Sequence, residues 1–198
     1  MTPDHYTFPL FSCKINGFNN KKMLLNLFAI LALIFTFILV LSACVCLFYR
    51  VPYVPTKKRL IETLLKTAKP HKGQTIYDLG CGDGRLLFAA EKKYHTKCIG
   101  YELSPIAYFL AMIKKIIQRS KSKIYLKNFF KAKISDAEII FLYLTPAILK
   151  KLVKKVKKEC HKGTIIVSHT FHIEGLKPLK IIKRDKKNKI PIIYIYKI

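Results

Sequence analysis

The chain has 198 residues, enough for one domain with one core, and a formal net charge of +26 from 37 Lys/Arg against 11 Asp/Glu. Its six cysteines form no C-x-x-C pair, which argues against zinc binding or dithiol redox work, and no metal is expected. The charge asks for an acidic partner, either nucleic acid or anionic lipid headgroups, unless it is a bias of composition. Only five basic residues are arginine (Arg50, Arg59, Arg85, Arg119 and Arg184), the residue suited to bidentate nucleic-acid contacts. Lipid contact together with a lysine-rich composition is therefore favoured over a specific nucleic-acid partner.

In chain order, a tail over 1–22 precedes an uncharged run from Met23 to Phe48, flanked by Lys21, Lys22 and Arg50. Such a run exceeds the ~20 apolar residues that cross a bilayer. A buried core helix would show a polar stripe, and this run shows none, so 23–48 reads as a transmembrane helix. Leu41-Ser-Ala-Cys44 has the form of a lipoprotein processing site. The apolar run is longer than a signal peptide's, and more than twenty residues precede it, so processing is disfavoured. Met23 is an alternative start. Residues 49–70 form a juxtamembrane segment containing a helix from Lys57 to about Ala68, and 71–198 a separate folded domain.

Ile76, Tyr77 and Leu79 read as a buried strand running into Gly80-Cys81-Gly82-Asp83-Gly84, with a helix opening at Arg85. Glycines let the backbone approach a ligand that a Cβ would push away. Arg85 stands where a dinucleotide fingerprint needs its last glycine, and no Lys-Ser or Lys-Thr pair makes a phosphate loop. Asp78, two residues before the glycines, suits a ligand with a cationic or hydroxyl-rich part. This is a nucleotide or nucleoside pocket. Lys97–Leu103 is a second strand, and its Glu102, about twenty residues past the loop, is placed to accept from ribose hydroxyls. Ser104 caps and Pro105 opens a helix to about Arg119. Strands follow at Ile124–Asn128, Ala137–Leu144 and Gly163–Thr170, with a helix at Pro146–Cys160 between the last two. Leu176–Ile182 and Ile190–Ile198, joined by a charged connector, suit a closing antiparallel hairpin. The whole predicts an α/β fold, a doubly wound, mostly parallel sheet of about seven strands with the N-terminal transmembrane helix before it. His169 and His172 lie near the end of the fifth strand, where a structural or substrate-side role is favoured over metal ligation.

Asp78-Leu-Gly-Cys-Gly-Asp-Gly-Arg85 resembles motif I of the class I S-adenosylmethionine-dependent methyltransferases. Together with the apolar anchor, Val51-Pro-Tyr-Val-Pro-Thr56, Gly100-Tyr-Glu-Leu-Ser-Pro105 and Phe141-Leu-Tyr-Leu-Thr-Pro146, it is similar to one group within them. These are the membrane-anchored protein-lysine methyltransferases of the ATP synthase c subunit and the adenine nucleotide translocase. The resemblance covers roughly residues 25 to 175. It implies S-adenosyl-L-methionine as cofactor, held by Asp78, Gly80, Cys81, Gly82, Asp83, Glu102 and Leu103. It also implies that Tyr53 and Thr56 fold over the cofactor, and that Asn128 and Phe129 lie at the adenine. Asn128 stands where many relatives have an acid, and its amide oxygen would accept the adenine amino group without charge. Tyr143, Thr145 and Pro146 fall where the target nitrogen sits. The Asn/Asp-Pro-Pro-Tyr/Phe form of enzymes methylating base or glutamine nitrogens is absent.

The implied function is methylation of a lysine on a membrane or membrane-associated protein; the alternative is methylation of a lipid or lipophilic small molecule. Basic residues flank both ends of the span, so charge alone gives a weak orientation. Cofactor supply puts the catalytic domain on the cytoplasmic or organelle-matrix side.

Overall fold

The computed structural model describes residues 17–49 and 55–198. Tyr53 and its neighbours in the 50–54 segment, and the tail before residue 17, lie outside the described residues. The chain divides into two units between residues 37 and 38.

Helix α1, Gly17–Tyr49, begins before the predicted span, because a helix satisfies its own backbone groups and can continue into polar residues. Within it, Lys21–Cys44 is long and apolar enough to cross a membrane: its 24 residues rise about 36 Å, beyond the ~30 Å hydrocarbon core. Leu25, Phe28, Leu33 and Phe35 are all exposed on it.

The rest is built on seven strands: β1 Thr75–Leu79, β2 Lys97–Glu102, β3 Lys123–Leu126, β4 Ile139–Leu142, β5 Ile165–His169, β6 Lys180–Ile182 and β7 Ile193–Lys197. Their order across the sheet is β3-β2-β1-β4-β5-β7-β6. The first five run parallel, and β7 is antiparallel to both neighbours. The expected doubly wound sheet with a closing hairpin is what forms. Every residue of β4 is buried, as expected of a central strand covered on both faces. Burying each such side chain is worth roughly 1.5–3 kcal/mol.

One face is covered by α2 (Lys58–Ala68), α3 (Arg85–Tyr94) and α4 (Pro105–Ile117), which contribute Leu64, Leu87, Phe88 and Ala111 to a core with Ile76, Ile139 and Val167. The other is covered by α5 (Pro146–Glu159), whose Leu149, Leu152 and Val156 pack on Ile140, Leu142 and Ile166. Local chemistry sets the helix ends. Ser104 caps α4, its hydroxyl accepting from the Ala107 N–H, and Pro105 and Pro146 occupy first-turn positions that need no donor.

The hairpin strands are shorter than their apolar runs. Pro178 and Pro191 lack the N–H that a ladder needs, so the regular strands begin only at Lys180 and Ile193, with Ile190 held by an isolated bridge to Asp185. Between β3 and β4, a short 3-10 turn at Phe129–Lys131 is clasped to α5 by Lys155. The Lys155 ammonium donates to the Ala132 carbonyl at 2.5 Å and pairs with Glu159 at 2.6 Å.

Candidate active site

β1 lies between β2 and β4, where successive crossovers leave in opposite directions and open a crevice at the strands' carboxyl ends. A cavity of about 830 Å³ opens there, lined from Asp78 on β1, Glu102 on β2, Leu142 on β4 and His169 on β5. Every described residue that the sequence pointed to lines it. Thr56, Gly80, Cys81, Gly82 and Asp83 lie on one side. Leu103, Asn128 and Phe129 line it with Tyr143, Thr145 and Pro146.

The glycine turn is fixed by its backbone: the N–H groups of Gly80 and Cys81 both donate to the Tyr101 carbonyl, at 2.8 and 3.0 Å. All three turn glycines have positive φ. The Cys81 Sγ lies 2.7 Å from where a Cβ on Gly100 would stand, and burial raises its thiol pKa well above the usual value. Cys81 thus contributes backbone and packing.

The three acids differ in state. Asp78 is buried, and burial, then Glu102 and Asp83, push its carboxyl up to about 8. Among the described residues no basic side chain offsets these effects. For Asp83 burial also acts upward, but hydrogen bonds from Arg85 and Lys114 outweigh it and hold the carboxyl well below the usual range. Asp83 therefore lines the cavity with its charge already matched. Arg85 also donates to the Thr56 carbonyl at 3.0 Å, so it ties the segment before α2 to the glycine turn. Glu102 accepts from the Gly82 N–H at 2.7 Å and from the Leu103 and Ser104 N–H groups, each at 2.8 Å.

Glu102 thus braces the loop as well as facing the cavity. We expect Glu102→Ala to lower stability by about 2–4 kcal/mol without any ligand: bonds to a charged acceptor contribute about 1.5–3 kcal/mol each, and water reaching this half-buried loop recovers part of the loss of three. Glu102→Gln, which keeps an acceptor oxygen, should lose less. Thermal unfolding of the ligand-free variants measures this; an unchanged midpoint for Glu102→Ala would leave the carboxylate with a ligand role alone.

Asn128 Oδ1 accepts from the Phe130 N–H at 2.9 Å and caps the 3-10 turn, which leaves one lone pair toward the cavity. At the far side the Tyr143 ring stacks on His169, centroids 4.1 Å apart and 21° from parallel. Burial holds the His169 imidazole down to about 4, so it is neutral at physiological pH. His169, Arg85, Phe130 and Lys151 line the cavity without having been singled out as site residues. Position at the carboxyl end of β5 was the one signal for His169. Nothing in the local sequence marks the Arg85 tie to Thr56.

These residues fit an S-adenosylmethionine molecule. An acidic corner at Asp78, whose carboxyl a bound cation would ionise, suits its cationic amino acid part, and Phe129 and Leu142 supply apolar wall for an adenosine. Fold and site together define an S-adenosylmethionine-dependent methyltransferase.

A family model described as the ANTKMT methyltransferase domain matches residues 78–180. A protein-lysine N-methyltransferase from Saccharolobus islandicus (strain REY15A) is 36% identical over 149 residues, covering 74% of this chain and 92% of that protein. The adenine nucleotide translocase lysine N-methyltransferase of Mus musculus is 29% identical over 135 residues, and the match covers 67% of this chain and 58% of the mouse protein. Among solved structures, an RNA methyltransferase from Salinibacter ruber in complex with S-adenosyl-L-homocysteine superposes with a TM-score of 0.68 at 27% identity. That match covers 73% of this chain and 94% of the other. The chain belongs to the ANTKMT methyltransferase family.

Proposed function

We propose that this methyltransferase acts on a lysine side chain of a membrane or membrane-associated protein. In this reading residues 23–48 are a single-pass anchor, 49–70 a juxtamembrane segment, and 71–198 a catalytic domain facing the cytoplasm or organelle matrix. The observation that carries it is the far end of the cavity, where Tyr143 and a neutral His169 form an aromatic wall beside Thr145 and Pro146. The mouse relative named for a translocase supports an acceptor held in a membrane.

Bound S-adenosylmethionine supplies an electrophilic methyl group on a sulfonium. The chain's own part is to align and to dry. A lysine ammonium, with an ordinary pKa near 10.4, must lose its proton before its nitrogen can attack. Entry between the Tyr143 ring and the apolar wall strips water from the ammonium and lowers that pKa. The Tyr143 and Thr145 hydroxyls and the neutral His169 imidazole offer acceptors able to orient an amine N–H. With the donor bound, its methyl group would pass to that nitrogen and its sulfur would leave as a neutral thioether, and alignment of the two by the chain would supply most of the acceleration. Asp78 and Glu102 hold the donor on the opposite side, with Gly80, Cys81, Gly82, Leu103, Asn128 and Phe129 around it. Asp83 keeps Arg85 in place, and Thr56, tied to the glycine turn by Arg85, covers the donor.

Incubation of the full chain with methyl-labelled S-adenosylmethionine, membrane proteins and extracted lipids tests this reading. Label is expected in a protein band that yields methyllysine on acid hydrolysis. Label confined to the lipid fraction would overturn the protein acceptor and favour a lipophilic substrate.

A further inference from the structure

Helix α4 is built inside out. The residues it buries against the sheet are the small Ala107 and Ala111, 1% and 0% exposed. Its large apolar side chains face outward: Phe109 is 63% exposed, Ile116 73% and Ile117 74%, with Leu110 and Ile113 also exposed. At 3.6 residues per turn these five positions fall within an arc of about 120°, its centre about 140° around the helix from the two alanines. Leu126 adds to the patch, on the sheet face that carries Ile124, the partner of Ala111 in the core. An amphipathic helix of a water-facing domain shows the reverse arrangement.

The charge around the stripe indicates what covers it. Residues 105–127 contain six Lys/Arg and no Asp or Glu. By the same helical spacing Lys114 borders the stripe on one side and Lys115 lies well beyond its other edge, while Arg119 follows past the last helical turn in a left-handed conformation. Exposed Lys121 follows in the turn and exposed Lys127 just past the edge strand, while Lys123 on that strand alternates to the face opposite Leu126. Lys114 is partly spent on Asp83, but the others lie free of any acid on their own elements. An apolar stripe rimmed by cations matches an anionic bilayer, where negative headgroups overlie hydrocarbon. A second copy of this chain would set lysine rim against lysine rim.

We propose that the outward face of α4 is a second membrane-contact surface, seated in the headgroup layer of an anionic bilayer. The inference rests on the proposed anchoring by α1 only for bringing a bilayer within reach. Its consequence for the enzyme is orientation. α4 starts directly after Leu103 and Ser104, which line the cavity, so seating the helix holds that cavity wall close to the lipid surface and to an acceptor lysine emerging from it.

Photo-crosslinking of the full chain in vesicles tests this. Benzoylphenylalanine would replace, one at a time, Ile116 on α4, Phe35 on α1 and Lys162 in the exposed turn before β5. The vesicles would be phosphatidylcholine with or without a minority of phosphatidylglycerol. We expect lipid adducts from positions 35 and 116 but not 162. Only the adduct at 116 should grow several-fold with phosphatidylglycerol and fall at high salt. Lipid adducts at 35 with none at 116, or an adduct at 116 with a second copy or another protein, would overturn the inference and leave the anchor standing. Lipid adducts at 116 without any at 35 would support the α4 surface and remove the anchor. A pair of exposed changes, Ile116→Glu with Ile117→Glu, should abolish lipid adducts from a probe at Phe109 while cofactor affinity stays unchanged. Persisting adducts there would count against the proposal.

Discussion

Asp78→Asn is expected to bind S-adenosylmethionine about 10²- to 10³-fold more weakly than the parent chain, yet to melt at a higher temperature without it. Truncating one partner of a buried charge pair costs about 2–5 kcal/mol, which sets the first figure. The second follows from the carboxyl itself. Its ordinary pKa is 3.8, but burial, then Glu102 and Asp83, push it up to about 8 in the fold. Between those values the folded protein holds a proton that the unfolded chain releases. The contribution of this group to stability is therefore fully present below its unfolded pKa and is lost as pH rises through its folded one. At neutral pH the loss is on the order of a few kcal/mol, and an asparagine does not incur it. The cationic donor reverses the balance by favouring the carboxylate, so binding to the parent should release a proton and tighten as pH rises from roughly 6 to 8. The variant should show neither effect. Calorimetry in buffers of different ionisation enthalpy measures both. Affinity within threefold of the parent would place the cationic end of the donor elsewhere.

Gly84→Ala should cost about 2–5 kcal/mol of stability and lower the thermal midpoint by roughly 5–15 °C. Gly84 precedes α3 at φ +75°, a left-handed conformation that disfavours any side chain by about 1–2 kcal/mol. Space adds to the penalty. A Cβ there would stand 2.6 Å from Phe88 Cζ and 2.9 Å from Ile124 Cδ1. Phe88 is buried in the core and cannot swing aside. Gly73→Ala separates the two causes, because Gly73 has φ +84° but nothing within 4 Å of such a Cβ. A loss at Gly84 no larger than at Gly73 would show that Phe88 yields easily.

The strands and the cavity were legible in the sequence because both rest on local rules. The glycine turn after Ile76–Leu79, the acid ending β2 and the unbroken apolar run of β4 each carry their meaning within a few residues. Prolines were read less well: Leu176–Ile182 and Ile190–Ile198 looked like full strands, but Pro178 and Pro191 cut the ladders short. What stayed hidden depends on contacts between distant segments. Nothing near Asp83 indicates that Lys114, from another helix, takes its charge. The same holds for Arg85 reaching Thr56, and for His169 lying flat on Tyr143 from the adjacent strand. Glu102 illustrates the middle case. Its place at the strand end was readable, whereas its three backbone partners appear only once the turn is folded.

The thiol of Cys81 lies in the donor loop itself, but it is packed down onto β2 and kept protonated by its surroundings. Oxidants and alkylating reagents react with accessible thiolates. The grip on the methyl donor is therefore insulated from peroxide and from glutathione exchange. A cell could shift its redox balance widely without this loop registering the change.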